Sequence, residues 1–130
     1  MRQKFLRNAD DIYVEVSASG LLIPLPRTTI LDLDSKELTP PRPLAVRLTE
    51  VFFAVEKGLT ILLWWDEGED KASLILPIVE GQGRLDFNSF GGLHNPKNEG
   101  FTGHVQLSTK QAKGVEMNFT LVLGFAKLRS

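Results

Sequence analysis

The sequence predicts a single all-β domain: an antiparallel β-sandwich with jelly-roll-like winding, or as an alternative a small β-barrel. Three observations predict it. Apolar and polar residues alternate with period 2 over most of the chain, the signature of strands with one face buried. Clusters of Gly, Pro, Asn and Asp punctuate these segments at a spacing of roughly 8–14 residues, near that of sandwiches and barrels. No segment reads unambiguously as a helix.

Taken in order, Ile12, Val14, Val16 and Ala18 alternate with Tyr13, Glu15 and Ser17, and Thr29, Leu31 and Leu33 alternate with Ile30, Asp32 and Asp34. Thr39-Pro40-Pro41-Arg42-Pro43 follows; proline cannot donate to a ladder, so no central strand runs there. Residues 1–43 thus read as a less regular part with a Pro-rich connection, and 44–130 as a regular antiparallel series, both within one domain. Residues 44–57 fit two templates. Leu44, Leu48, Val51, Phe52 and Val55 suit a helix, but the β-branched and aromatic content favours a strand. A β-bulge near Thr49 and Glu50 explains the slip in apolar parity between Leu48 and Val51.

Ile61-Leu62-Leu63-Trp64-Trp65 and Leu74-Ile75-Leu76 are apolar at both parities and read as central strands covered on both faces. Asp66 to Asp70 reads as a hairpin tip, Gly81-Gln82-Gly83 as the next turn, Gly91 to Gly103 as a long loop and Lys110 to Gly114 as a further connection. Leu85 and Phe87, then Val105 and Leu107, alternate with polar neighbours. Val115, Met117, Phe119, Leu121, Leu123 and Phe125 share one face of the last strand, and from Val122 through Gly124 and Ala126 its other face also turns apolar.

The chain has 130 residues, 42% hydrophobic and 24% charged. By surface scaling a domain of this size buries about two-thirds of its unfolded surface, enough for a core without metal or disulfide. Fifteen Lys and Arg stand against sixteen Asp and Glu, so the phosphate-neutralising excess of a nucleic-acid binder is missing and no nucleic-acid partner is expected. The absence of cysteine excludes disulfides, thiolate metal sites and Cys nucleophiles. Basic residues near Met1 are not followed by an apolar segment, so no signal peptide is expected. The longest apolar run, Leu59 to Trp65, is too short to span a bilayer, and no membrane partner is expected.

Motifs that carry chemistry are weak. The two histidines, His94 and His104, lie at no local ligand spacing, so no metal site is expected. The acidic tip lacks the ligand spacing of a calcium loop, no nucleophile elbow is present, and the Gly pairs have no phosphate-binding pattern. The reading is a non-enzymatic protein without a cofactor. Trp64 and Trp65 fall on opposite faces, so one is core and the other is a candidate aromatic contact. The long loop is the candidate interaction site, with Gly91, Gly92, His94, Asn95 and Phe101, because loops on rigid scaffolds carry function disproportionately. Asn118-Phe119-Thr120 is a sequon in mid-strand, read as coincidence.

Several segments together carry a resemblance: Leu62-Leu63-Trp64-Trp65-Asp66; Gly83-Arg84-Leu85-Asp86-Phe87 with Phe90-Gly91-Gly92-Leu93-His94-Asn95-Pro96; Thr102-Gly103-His104-Val105-Gln106-Leu107-Ser108-Thr109; and Phe119-Thr120-Leu121-Val122-Leu123 with Lys127. From Leu44 to Lys127 the chain resembles small virion-associated structural proteins of tailed bacteriophages and prophages. These share a Trp-Asp turn, a Phe-Gly-Gly segment, a Thr-Gly strand start and a basic end to the last strand. The chain departs from that pattern in Glu67-Gly68-Glu69-Asp70 and in Lys110-Gln111-Ala112-Lys113. The resemblance implies a virion location after synthesis in the bacterial cytoplasm. It also implies a homo-oligomer whose partners are copies of itself and capsid, neck or tail proteins. The alternative is a β-sandwich that binds a glycan on a host surface.

Overall fold

A computed structural model describes residues 1–40, 43–95 and 102–128. Among the described residues nine strands form: β1 Arg2–Asn8, β2 Asp11–Leu21, β3 Thr28–Leu31, β4 Ala45–Val55, β5 Leu59–Asp66, β6 Ala72–Ile78, β7 Gly81–Asp86, β8 Val105–Gln111 and β9 Met117–Leu128. One sheet has the order β1-β2-β9-β4-β7 and the other β3-β8-β5-β6, with every pairing antiparallel. The two sheets stack as a sandwich, and among the described residues no ladder joins them into the alternative barrel.

The pairings are nested. β5 pairs with β6, β4 with β7, β3 with β8 and β2 with β9. The chain from β2 to β9 is therefore one long antiparallel hairpin, rolled so that successive pairs fall alternately in the two sheets. That winding is the jelly roll, and β1 is added outside β2. Residues 1–43 supply three integral strands, including the 11-residue β2, and among the described residues no strand lies between Leu31 and Ala45.

Alternation decides which side chains enter the core. Ile12, Val14 and Val16 of β2, Leu121, Leu123 and Phe125 of β9, and Ile61, Leu63 and Trp65 of β5 are all buried. The segment 44–57 forms strand β4, and its pairing with β9 shifts between Leu48 and Glu50, the bulge that the parity slip requires. Leu48 and Val51 consequently both face the core.

Two expectations need correction. Leu74-Ile75-Leu76 lies in β6, which is an edge strand rather than a central one, and Leu74 is 48% exposed. Apolarity at both parities reports side chains averse to water, not the number of neighbouring strands. Gly81-Gln82-Gly83 is not a turn but the start of β7; the chain turns at Val79 and Glu80, and Gly81 takes a positive φ of 121° as it enters the strand. At Gly124 the outward face of β9 is covered by side chains of its own sheet, Tyr13 and Glu50, which meet above it.

Candidate functional site

The candidate loop leaves β7 at one end of the sandwich. Phe87 is followed by a 3-10 turn, Asn88–Phe90, and the chain then bends at Gly91 and Gly92, both at positive φ. Gly92 is buried, and a Cβ there would lie 3.0 Å from the Leu48 carbonyl oxygen. The close approach lets Leu93 exchange both backbone hydrogen bonds with Leu48, at 2.8 and 3.0 Å. The Gly pair therefore pins the loop to the bulged part of β4. His94 is exposed, Asn95 is buried, and Phe101 lies outside the described residues.

The loop returns at Thr102 and closes against the β5–β6 hairpin. Asp66 holds the junction. One carboxylate oxygen accepts the Gly68 N–H at 3.1 Å, the other accepts the Thr102 hydroxyl at 2.9 Å, and the Asp66 N–H donates to the His104 carbonyl at 3.0 Å. The Trp-Asp and Thr-Gly motifs thus meet in space: Asp66 anchors the hairpin tip and the loop together, while Trp65 is buried in the core beneath. At that tip Glu69 and Asp70 adopt positive φ values of 49° and 62° and are exposed.

Trp64 faces outward from the second sheet and is half-buried. Its indole N–H donates to the Ser108 hydroxyl at 2.8 Å, and the Arg27 guanidinium lies 5.9 Å from a ring centroid. Arg27 is itself tied to the Asp70 carbonyl. The indole already has a polar partner and a cation over its face.

Two polar clusters escaped the sequence reading because their members are far apart in the chain. In the first, His104 accepts the Leu33 N–H on Nδ1 at 3.0 Å, with Asp32 3.5 Å from that nitrogen and Asp34 3.6 Å from Nε2. Ligand atoms of these three residues lie close enough to surround an ion. The backbone bond fixes the neutral ring with its proton on Nε2. Coordination through Nε2 would move that proton to Nδ1, against the Leu33 N–H. The ring instead fastens the segment after β3 to the start of β8.

The second cluster spans the outer face of the first sheet. Glu50 is buried, with one carboxylate oxygen accepting the Tyr13 hydroxyl and the other accepting Nε and a terminal nitrogen of Arg84 at 3.1 and 2.7 Å. Arg84 also packs 5.3 Å from the Phe52 ring centroid and 3.2 Å from Asp86. The hydrogen bond to Glu50, then burial, then the Glu50 charge push the Tyr13 hydroxyl up to about 12.

That shift has a sign. The fold holds the Tyr13 proton more tightly than the unfolded chain does, so the contribution is fully present below pH 10 and is lost as pH rises towards 12. Tyr13 is the one tyrosine of the chain, so tyrosinate absorbance titrates it alone. The expected midpoint lies well above that of free tyrosine. Stability should fall over the same pH window, and in Tyr13→Phe that fall should be reduced. An ordinary midpoint would contradict the bond to Glu50.

An open cleft of about 460 Å³ separates the sheets on the β1 and β3 side, lined by Lys4, Phe5, Ile30, Asp32 and Glu37 among others. Its apolar floor belongs to the core cluster and its rim mixes both charge signs. At the end opposite the candidate loop, Leu22 and Ile23 stand 63% and 78% exposed in the crossing from β2 to β3. Among the described residues no helix is long and apolar enough to cross a membrane. No protein-family model, no curated protein and no solved structure matches the chain.

Proposed function

We propose that the protein is a non-enzymatic structural component of a tailed-phage or prophage particle, acting by self-association and by binding capsid, neck or tail proteins. Jelly rolls serve both in viral shells and in lectins, and a fold alone does not choose between such uses. The surface favours assembly. Its carrying observation is that large apolar side chains sit bare at both ends of the sandwich: Leu22 and Ile23 at one, Leu44 and Phe90 at the other. Adjacent exposed apolar side chains, as at Leu22 and Ile23, are the kind of surface that a protein partner covers. The loop 91–95 is held in place by Gly92 and Leu93, which suits a preformed contact rather than a closing lid. The glycan reading rests on an exposed Trp or on Phe101; the ring and N–H of Trp64 are already engaged by Arg27 and Ser108, and Phe101 lies outside the described residues.

Peptide mass spectrometry on density-purified particles induced from the source host tests the proposal. Peptides at an abundance comparable to capsid or tail subunits are expected. Their absence from particles that contain the other structural proteins would sink it.

A further inference from the structure

A sandwich of two open sheets has four edge strands, and three of them here carry a device against strand addition. β1 holds Arg2, Lys4 and Arg7 and a register shift between Phe5 and Arg7. β3 is four residues long. β6 carries a register shift beside Leu74 and has Pro77, whose missing N–H falls on the open side: Asp66 donates to His104 on the β8 side of β5, so alternation turns Leu63 and Ile61, the partners of Leu76 and Ile78, towards β6 and leaves Leu62, opposite Pro77, bonded to β8. β7 has neither a register shift nor a proline, and its two charges, Arg84 and Asp86, are of opposite sign. It is in unbroken register with β4 from Gly81 to Asp86 and is exposed over most of its length.

The bonding phase of β7 follows from its flanks. Glu56 donates to the Asn118 carbonyl on the β9 side of β4, while Phe87 donates to the Thr49 carbonyl on the β7 side. Alternation then assigns Val51, Phe53 and Val55 to bonds with Leu85, Gly83 and Gly81, and turns the backbone N–H and C=O groups of Gln82, Arg84 and Asp86 to the open side.

We infer that β7 is the strand by which two copies of this chain join, antiparallel and about a two-fold axis at Leu85. This inference rests on the self-association proposed above and names its surface. Charge within the strand selects the register, since centring on Gln82 would give Arg84 only Glu80, which lies outside β7. Centring on Leu85 sets Arg84 opposite Asp86 of the second copy, twice over, with both residues offering outward backbone groups. Centring on Arg84 would oppose two arginines, and centring on Gly83 would oppose Glu80 and Asp86. Like charges directly opposite each other are destabilising in an antiparallel pair. At the chosen axis the half-buried Leu85 side chains meet beside Val51 and extend the core across the joint. The first sheet then runs continuously through both copies, an isologous contact that closes on itself.

The native chain has no cysteine, so Leu85→Cys gives a single-thiol variant. Across the axis its Cα atoms would lie about 4.5 Å apart, within disulfide reach. Sedimentation equilibrium of the wild type should show a monomer–dimer equilibrium. Mild oxidation should cross-link Leu85→Cys, and should not cross-link Leu74→Cys on the other open edge. Asp86→Lys, which places a second cation opposite Arg84, should raise the dimer dissociation constant roughly ten-fold or more, with the circular dichroism of the fold unchanged. Dimers that survive Asp86→Lys undiminished and cross-link at residue 74 but not 85 would overturn the β7 joint while leaving self-association standing. A monomer at all concentrations would overturn both.

Discussion

Replacing Gly124 with valine is expected to lower the unfolding free energy by about 2–4 kcal/mol, through overpacking together with a lost buried hydrogen bond. Gly124 lies in β9, the middle strand of the first sheet, between Tyr13 on β2 and Glu50 on β4. A Cβ at this position would stand 2.8 Å from the Tyr13 ring and 2.9 Å from the Glu50 side chain. Its backbone φ is not in the left-handed region, so the penalty is steric. The glycine leaves the gap across which the tyrosine hydroxyl reaches the carboxylate over an intervening strand. Filling that gap must push Tyr13 aside and leave Glu50 with Arg84 alone. Two readings should therefore move together: a lower denaturant midpoint, and a Tyr13 titration returned towards that of free tyrosine. A destabilised variant that kept its high tyrosine midpoint would show that the network does not pass over Gly124.

Phe125→Ala is expected to cost about 3–5 kcal/mol, the range for removing a buried aromatic side chain. Phe125 is 1% exposed and is paired with Ile12 on one side and Leu48 on the other. Its neighbours sit on three paired strands, which limits how far they can close in on the cavity. Native stabilities lie between about 5 and 15 kcal/mol, so the variant should be marginal. Urea unfolding should show a much lower midpoint with a similar slope. A midpoint near that of wild type would mean that β9 does not seat this ring in the core.

The sequence foretells the elements better than their neighbours. The bulge at Thr49 and Glu50 was legible because a slip in parity leaves its trace in the residues themselves. Trp64 and Trp65 on opposite faces follow from the period of a strand. The edge position of Leu74 to Leu76 was not legible, since a run of apolar residues does not record how many strands flank it. Gly81 and Gly83 looked like a turn because glycine marks both turns and exposed, side-chain-poor edges. The Tyr13–Glu50–Arg84 and His104–Leu33 contacts are long-range, and no local pattern encodes them. The candidate loop is half legible: its glycines read as part of an interaction loop, whereas Gly92 proves to be a close-packing residue against Leu48.

The nested pairing of the strands also dictates the order in which the molecule can be made. The β5–β6 hairpin closes a loop of a few residues, so its closure entropy is small and it can form early. Each enclosing pair must gather a longer span, and the last, β2 with β9, joins Asp11 to Ala126. On a ribosome, β2 emerges well before β9, its main sheet partner, has been synthesised. Through that interval Ile12, Val14 and Val16 have no completed core to enter. High contact order of this kind slows folding and prolongs the exposure of sticky intermediates. The basic residues of β1, emerging ahead of β2 and pairing with it as a local hairpin, are placed to shield its first free edge until β9 arrives.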